Sequence, residues 1–452
     1  MISIVLHEFA VLDGAKSYLY CGLAMAEQTA VPDTVTAPAA SRGLWRHPNF
    51  LKLWTGQTIS MAGSQVTTLA LPLTAVLVLH ASPFQMGLLQ AVQYSPFLVV
   101  SLLAGVWIDR RRRRGLLIGS DIGRAVLIGS VPVAFALGVR WMVYIYVIAF
   151  LSGILTVVFN VAYHAYLPFL VDKDQLADGN SRLEGSRAVT QVAGPGLGGL
   201  LVQALGPPTA MFADALSFVA SAVALQTIRK PEPEPERRER SVKAELQEGW
   251  AFMWSHPLVR PISISCAIVN LSFAVGYSIQ ILFLNRNLGF TPALLGIALA
   301  AGGVGAVIGA LTAKRLVKLL KFGPTVTLST VMMGASLVAQ AVAGIVPGSP
   351  FVIVAVAEAV VSYGVIVYNV SLFTLWQSTT PSRLRGRVGA TLHFMIWGAL
   401  PLGAIIGGSI GTLSLRWAIA IGGIGILASA VWVAFSVLGK VLTNQDTETV
   451  AD

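Results

Sequence analysis

SPFLVVSLLAGVWIDRRRRRG, residues 95–115, carries no charge as far as Ile108 and then presents Asp109 and five consecutive arginines, Arg110 to Arg114. The uncharged part suits the hydrocarbon of a bilayer, and a dense positive cluster at its end suits the cytoplasmic membrane surface. Apolar segments of spanning length, about 20 residues each, recur from about Leu51 to about Leu438. Hydrophobic residues make up 55% of the 452 and charged residues 12%, with a mean hydropathy of +0.72. A soluble protein could not cover that much apolar surface, so the expected fold is an all-α polytopic membrane protein.

Splitting the apolar runs at charges, Pro and Gly gives twelve spans. They begin near Leu51, Phe84, Leu116, Trp141, Ala188 and Pro208, then near Leu258, Pro292, Thr325, Pro350, Val388 and Leu415. Alternate connections hold the basic residues: Arg110 to Arg114, Arg182 and Arg187, Arg229 to Lys243, Lys314 to Lys321, and Arg383 to Arg387. The intervening ones offer only Arg140, Arg286 and Arg416. Because basic loops stay inside, both termini are expected in the cytoplasm of a plasma-membrane protein.

RKPEPEPERRERSVKAELQEG, from Arg229, interrupts the apolar pattern with mixed charge and Pro-Glu alternation, the mark of a solvated linker. Val242, Leu246, Trp250 and Met253 then recur at helical spacing, which predicts an amphipathic helix on the membrane face. The expected division is a disordered tail over 1–43, a six-helix bundle over 44–228, a linker over 229–256, a second bundle over 257–438 and a tail over 439–452. The first tail lacks the basic start and apolar core of a signal peptide, and MAEQTAVPDT offers a second translation start at Met25.

The formal charge of +10 lies in short clusters between apolar spans, so anionic lipid and not nucleic acid is the expected polyanionic partner. Cys21 and Cys266 have no metal-ligand or disulfide spacing, and neither a metal nor a cofactor is expected.

The halves repeat one another. WRHPNF at Trp45 returns as WSHPLV at Trp254, SRLEGSRAV at Ser181 as SRLRGRVGA at Ser382, and GPGLGG, ending at Gly199, as a degenerate LPLGAIIGG ending at Gly408. The copies lie 209, 201 and 209 residues apart. Six spans per copy give both the same orientation, related by an axis along the membrane normal.

With these features the chain resembles the major facilitator superfamily from about Leu44 to Leu438. GVWIDRRRRR is similar to the family's motif A, with Gly105, Asp109, Arg110, Arg113 and Arg114 on the matching positions and Arg112 where a Gly is usual. GALTAKR keeps Gly309, Lys314 and Arg315 of that motif, with Ala313 in place of the acid. GPGLGG resembles the core of antiporter motif C through Gly194, Pro195, Gly198 and Gly199, with Thr190 where a further Gly is usual. The overall pattern is most similar to the bacterial branch of macrolide efflux and enterobactin export proteins. The resemblance implies a proton-driven exporter of small organic molecules, with motif A latching the halves on the cytoplasmic side.

Read physically, Gly194, Pro195, Gly198 and Gly199 strip side chains from one stretch of the fifth span and bend it, either for close packing or as a hinge. Asp214 in FADALSF and Glu358 in VAVAEAVVSYG stand two turns from the outer ends of the sixth and tenth spans. An acid in low dielectric is costly as a bare carboxylate, which makes both candidates for proton loading and release, against an inert hydrogen-bonded acid. Asp121 and Arg124, one turn apart, are expected to pair in a structural charge network. His164 and His393 are expected as interface hydrogen-bonders near the cytoplasmic ends of the fourth and eleventh spans. Gln65, Gln93, Asn160, Asn270, Gln280, Tyr363 and Asn369 are candidates to line a cavity, with Trp397 as an aromatic wall.

No H-E-x-x-H pair, G-x-S-x-G elbow or Walker A loop occurs, so neither an enzyme nor an ATP-driven pump is expected. The expected function is secondary active export by a monomer through proton antiport. An importer of the same fold, and a receptor or scaffold, are the alternatives.

Overall fold

The computed structural model describes residues 44–108, 111–230, 232 and 242–436. The helices of the first half are α1 (Pro48–Leu73, continued by a π-helical turn, Thr74–Val78), α2 (Pro83–Ile108), α3 (Arg113–Ala136), α4 (Met142–Leu170), α5 (Leu176–Leu205) and α6 (Pro207–Gln226). A connecting helix α7 (Val242–Ser255) leads to the second half, α8 (Val259–Tyr277), α9 (Gln280–Arg286), α10 (Pro292–Leu320), α11 (Phe322–Val342), α12 (Pro350–Thr379), α13 (Ser382–Leu413) and α14 (Leu415–Phe435). Among the described residues eleven segments are long and apolar enough to cross a membrane, with α8 and α9 counting as one; α2 completes twelve spans in two six-helix bundles.

Packing repeats as the sequence does. In the first half α1 packs on α5 and α6, α4 on α2 and α3, and α3 on α6. In the second, α8 packs on α13 and α14, α12 on α10 and α11, and α11 on α14. Each pair in one bundle has its counterpart in the other. The halves meet through α2 with α13 and α5 with α10, pairs that the same pseudo-two-fold axis interchanges.

Two helices begin earlier than their apolar runs. α5 starts at Leu176 and not near Ala188, and α13 at Ser382 and not near Val388, so Arg182 and Arg187 are helical. Ion pairs one turn apart carry α5 beyond its apolar part: Arg182 bonds Asp178 at 3.0 Å and Arg187 lies 3.5 Å from Glu184. As a result His393 stands three turns inside α13 and not near its end.

α7 forms where amphipathic spacing predicts it, but the two of its apolar side chains that are described do not share one environment. Met253 is fully buried whereas Trp250 is 45% exposed. Gly249 presses on the Arg387 carbonyl of α13, Glu248 pairs with Arg387, and Trp250 faces outward beside Trp254. The side chains of Val242 and Leu246, and residues 1–43 and 437–452 with both expected tails, lie outside the described residues.

The WxHP repeat is a helix-start device. His47 accepts the Phe50 amide through Nδ1 at 3.1 Å and Pro48 opens α1; His256 accepts the Leu258 and Val259 amides at 3.2 and 3.4 Å ahead of α8. Basic side chains close helix C-termini at the arginine-rich end of the molecule. Arg114 donates to the Leu225 and Gln226 carbonyls of α6, Arg113 to Ala165 of α4, and Lys230 to Leu170 of α4.

Candidate functional site

The halves touch at the end opposite the arginine cluster. A Cβ on Gly199 of α5 would stand 2.8 Å from the Gly296 Cα of α10, and one on Gly87 of α2 would stand 2.7 Å from the Gly408 Cα of α13. The repeat interchanges the two contacts: Gly199 and Gly408, like Gly87 and Gly296, are equivalent positions 209 residues apart. Pro195 adds its carbonyl to the crossing, 2.4 Å from a Cβ on Gly296, and Arg286 donates to the Ala81 carbonyl across the halves at 2.9 Å. Gly194 and Gly198 face inward in their own bundle, against Gln65 and Val66 of α1. The glycine-rich core of the fifth span therefore serves both intra-bundle packing and the contact between halves.

Closer to the membrane centre an aromatic wall bridges the halves. Trp397 of α13 stacks on Phe97 of α2 with centroids 4.5 Å apart, with Tyr94 edge-on at 6.3 Å. Its indole N–H donates to His393 Nδ1 at 3.2 Å, so His393 is the hydrogen-bonded residue its position suggests. Tyr277, stacked on Phe273, lies within electrostatic reach of both Tyr94 and Glu358.

Glu358 is 5% exposed and held by two amides. Gln280 Nε2 donates to its Oε1 at 2.6 Å and Gln340 Nε2 at 2.9 Å, while Gln280 also donates to Gln340 Oε1 at 2.7 Å. Gln280 reaches this position because the seventh span breaks at Ser278 and Ile279, between α8 and α9. Interrupted spans near the midplane are where backbone and side-chain polar groups become available to a cargo. Gly302 of α10 adjoins the same carboxyl: a Cβ there would lie 3.7 Å from Glu358 Oε2.

The first half buries its own charges. Arg124 Nη2 bonds Asp121 Oδ1 at 2.5 Å, and its guanidinium rests 4.4 Å from the Phe159 ring and 4.3 Å from that of Phe218. The pair sits inside the bundle, 0% and 6% exposed, and not beside the arginine cluster at the surface. Asp214, 1% exposed, accepts from Ser217 Oγ at 3.1 Å and Ser64 Oγ at 3.4 Å.

Of the other candidates, Tyr363 accepts a hydrogen bond from Thr312 of α10 at 3.2 Å, and Asn270 donates to the Cys266 carbonyl of its own helix at 2.8 Å. Gln93, Asn160, Asn369 and His164 are half-buried. Gly105 lies in α2, and Asp109 and Arg110 lie outside the described residues. Gln340, Tyr94, Phe97 and Tyr277 join the site without having stood out in the sequence; the Gly276-Tyr277-Ser278 run before Gln280 was the available signal for the break.

Among the described residues no group of His, Cys, Asp and Glu could hold a metal ion. Two pseudo-symmetric six-helix bundles around buried polar clusters define a multi-pass transporter. The Major Facilitator Superfamily profile matches residues 53–399, and the chain belongs to that family. It is 29% identical to the multidrug efflux pump Tap of Mycolicibacterium fortuitum over 379 residues, covering 81% of this chain and 89% of the relative. It is 25% identical to macrolide efflux protein A of Streptococcus pyogenes over 365 residues, covering 79% and 88%. Among solved structures, a bacterial homologue of the iron transporter ferroportin in its inward-facing state aligns with a TM-score of 0.72 at 16% identity, over 87% of this chain and 98% of the other. The nucleoside transporter NupG aligns with a TM-score of 0.65 at 10% identity, over 89% and 98%.

Proposed function

We propose that the chain exports a bulky organic compound across the plasma membrane by alternating access coupled to proton entry. The observation that carries this reading is Glu358, a buried acid held by Gln280 and Gln340 at the break in the seventh span, with Tyr277 of that span within electrostatic reach of both Glu358 and Tyr94 of the inter-half aromatic wall. A mostly apolar, aromatic surface with a few convergent polar groups suits a bulky organic cargo. A carboxyl there can alternate between protonated and ionised forms as water reaches it from one side or the other. The efflux relatives support the export direction.

In this reading the arginine-rich end is cytoplasmic, both termini lie there, and the monomer divides at the linker into bundles over 44–228 and 257–438. With the opposite end closed through Gly199, Gly296, Gly87 and Gly408, the cargo enters from the cytoplasm as Glu358 gives up its proton. Rocking of the halves then separates the glycine pairs and exposes the site to the outside, where a proton displaces the cargo. Motif A, with Asp109, Arg110, Arg113 and Arg114, latches the cytoplasmic side in that second state. Asp214 is a second proton-carrying candidate. Anionic lipid meets the basic loops.

The test is cell retention of a mixed compound panel in a bacterial host stripped of its own efflux pumps, measured by mass spectrometry with and without a protonophore. Depletion of some compounds by energised wild type, lost in Glu358→Gln and Asp109→Asn, is expected. Accumulation by wild type would make the protein an importer, and equal retention in all strains would favour a receptor or scaffold.

A further inference from the structure

The buried charges of the first bundle do not balance. Arg124 is engaged by Asp121 at 2.5 Å, yet the same guanidinium rests 4.3 Å from the ring of Phe218, one helical turn from Asp214 on α6, and Asp214 lies within its electrostatic reach. The groups facing Asp214 are Ser64 and Thr67 from α1, Ser217 from its own helix and Arg124 from α3; those facing Asp121 are Arg124 and Ser221 of α6. Arg124 is the one cation in this set. Two carboxylates and one guanidinium in an apolar bundle leave a net negative charge unless one acid is protonated, and an unbalanced charge in a membrane interior is costly. Meanwhile Arg124 Nε and Asp121 Oδ2 are both buried with no hydrogen-bond partner, so the pair is incompletely satisfied on each side. Asp214 differs: hydroxyls surround it, and hydroxyls serve a neutral carboxyl as well as a charged one.

We infer that Asp121, Arg124 and Asp214 form one proton-carrying site in which Arg124 is a shared counter-ion, paired with Asp121 while Asp214 is protonated and turning to Asp214 when that acid releases its proton. The step breaks the Asp214 O–H bond, leaves the electron pair on the carboxylate and hands the proton to water; nothing is oxidised or reduced. Arg124 is a positioning residue, and the idle Nε–H is the donor left for a second carboxylate. Between α3 and α6, packed along their length, such a change of partner links protonation to the relative position of two helices. Use of the site in transport rests on the proton-antiport reading, but its chemistry is testable without transport.

The test is infrared spectroscopy of the purified full chain in phosphatidylcholine vesicles at neutral pH, reading the carbonyl band of protonated carboxyl groups. Wild type should show a component that Asp214→Asn removes. Asp121→Asn, which frees Arg124 for Asp214, should lower that component at least twofold, and the double variant Asp121→Asn/Arg124→Gln should restore it. Arg124→Gln alone should leave that component in place and add a second of about equal size from Asp121, because both acids then lack a cation. The proposal is overturned if wild type has no Asp214-dependent band, if Asp121→Asn does not lower it, or if Arg124→Gln adds no Asp121-dependent component. Failure of the antiport reading would show separately, as export indifferent to a protonophore while the band series holds.

Discussion

Gly199 of α5 and Gly296 of α10 meet backbone to backbone across the two halves: a Cβ on Gly199 would fall 2.5 Å from the Pro292 carbonyl oxygen and 2.8 Å from the Gly296 Cα. Backbone cannot step aside as a flexible side chain can. The contact exists only while this end is closed, so a methyl there acts on the equilibrium between states and hardly at all on the folding of either bundle. Gly199→Ala is expected to disfavour closure by about 1–3 kcal/mol, the usual cost of overpacking, a shift of roughly 5- to 150-fold toward the state open at this end. Gly408→Ala, the pseudo-symmetric counterpart of Gly199→Ala, should do the same through its contact partner Gly87. Labelling of a cysteine placed near Pro83 by a membrane-impermeant maleimide would report it; unchanged labelling in both variants would exclude this contact as the closing surface.

Glu358 depends on Gln340, which is fully buried and donates to its Oε1 at 2.9 Å while accepting from Gln280 at 2.7 Å. Gln340→Leu keeps volume but leaves the Gln280 amide and the Glu358 oxygen each short of a partner. A loss of about 1–3 kcal/mol is expected, read as a lower midpoint in thermal unfolding of the detergent-solubilised protein. In the Gln280→Leu/Gln340→Leu/Glu358→Leu triple variant much of that loss should be recovered, since no polar group of the buried triad is then left without a partner. A triple variant less stable than Gln340→Leu would mean that the triad is not the coupled unit its geometry describes.

The spans, the repeat and the glycine core of α5 were legible in sequence because each is a pattern in one dimension. The same 209-residue register maps the Gly199–Gly296 contact onto Gly408–Gly87, so the repeat held information about tertiary pairing as well. Rotation of each helix was not legible: a span that is apolar all round does not state which face turns inward. For that reason Tyr94, Phe97 and Gln340 do not stand out in the sequence, and Asn270 does although its amide bonds its own helix at Cys266. The early starts of α5 and α13 escaped because charged turns read as loops until pairs such as Asp178 with Arg182 are seen to support them. Asp121 and Arg124 were recognisable as a pair from spacing, but their place beside Asp214 needed the packing of α3 on α6.

Glu232, from the segment after α6, accepts the amides of Arg113 at 2.8 Å and Arg114 at 3.2 Å, one on each carboxylate oxygen. It caps the start of α3 across more than a hundred residues of chain, where a negative charge also meets the positive end of the helix dipole. Glu232→Ala should remove about 1 kcal/mol of local stability, so the first amides of α3 should exchange with deuterium roughly five times faster. Glu232→Gln keeps an acceptor and should fall between, with a smaller salt dependence than wild type. Exchange at α3 unchanged in Glu232→Ala would dismiss the cap.

His256 gives the one pH dependence outside the spans that geometry and titration jointly support. Its Nδ1 accepts the Leu258 and Val259 amides, a role that only the neutral ring can fill, and partial burial moves its pKa below the ordinary value of 6.5. The sign follows from linkage: between the lowered folded value and 6.5 the unfolded chain holds the proton and the folded chain does not, so stability rises with pH through that window. The contribution is fully present above 6.5 and is lost as pH falls toward the folded value. His256→Asn retains a short acceptor at the cap and should remove this pH dependence while keeping much of the stability; His256→Ala should remove both, at a cost of about 1 kcal/mol. Thermal unfolding of the three proteins at a series of pH values between 5 and 8, on the order of the histidine range, would decide it. Parallel curves for wild type and His256→Asn would assign the titration to another group.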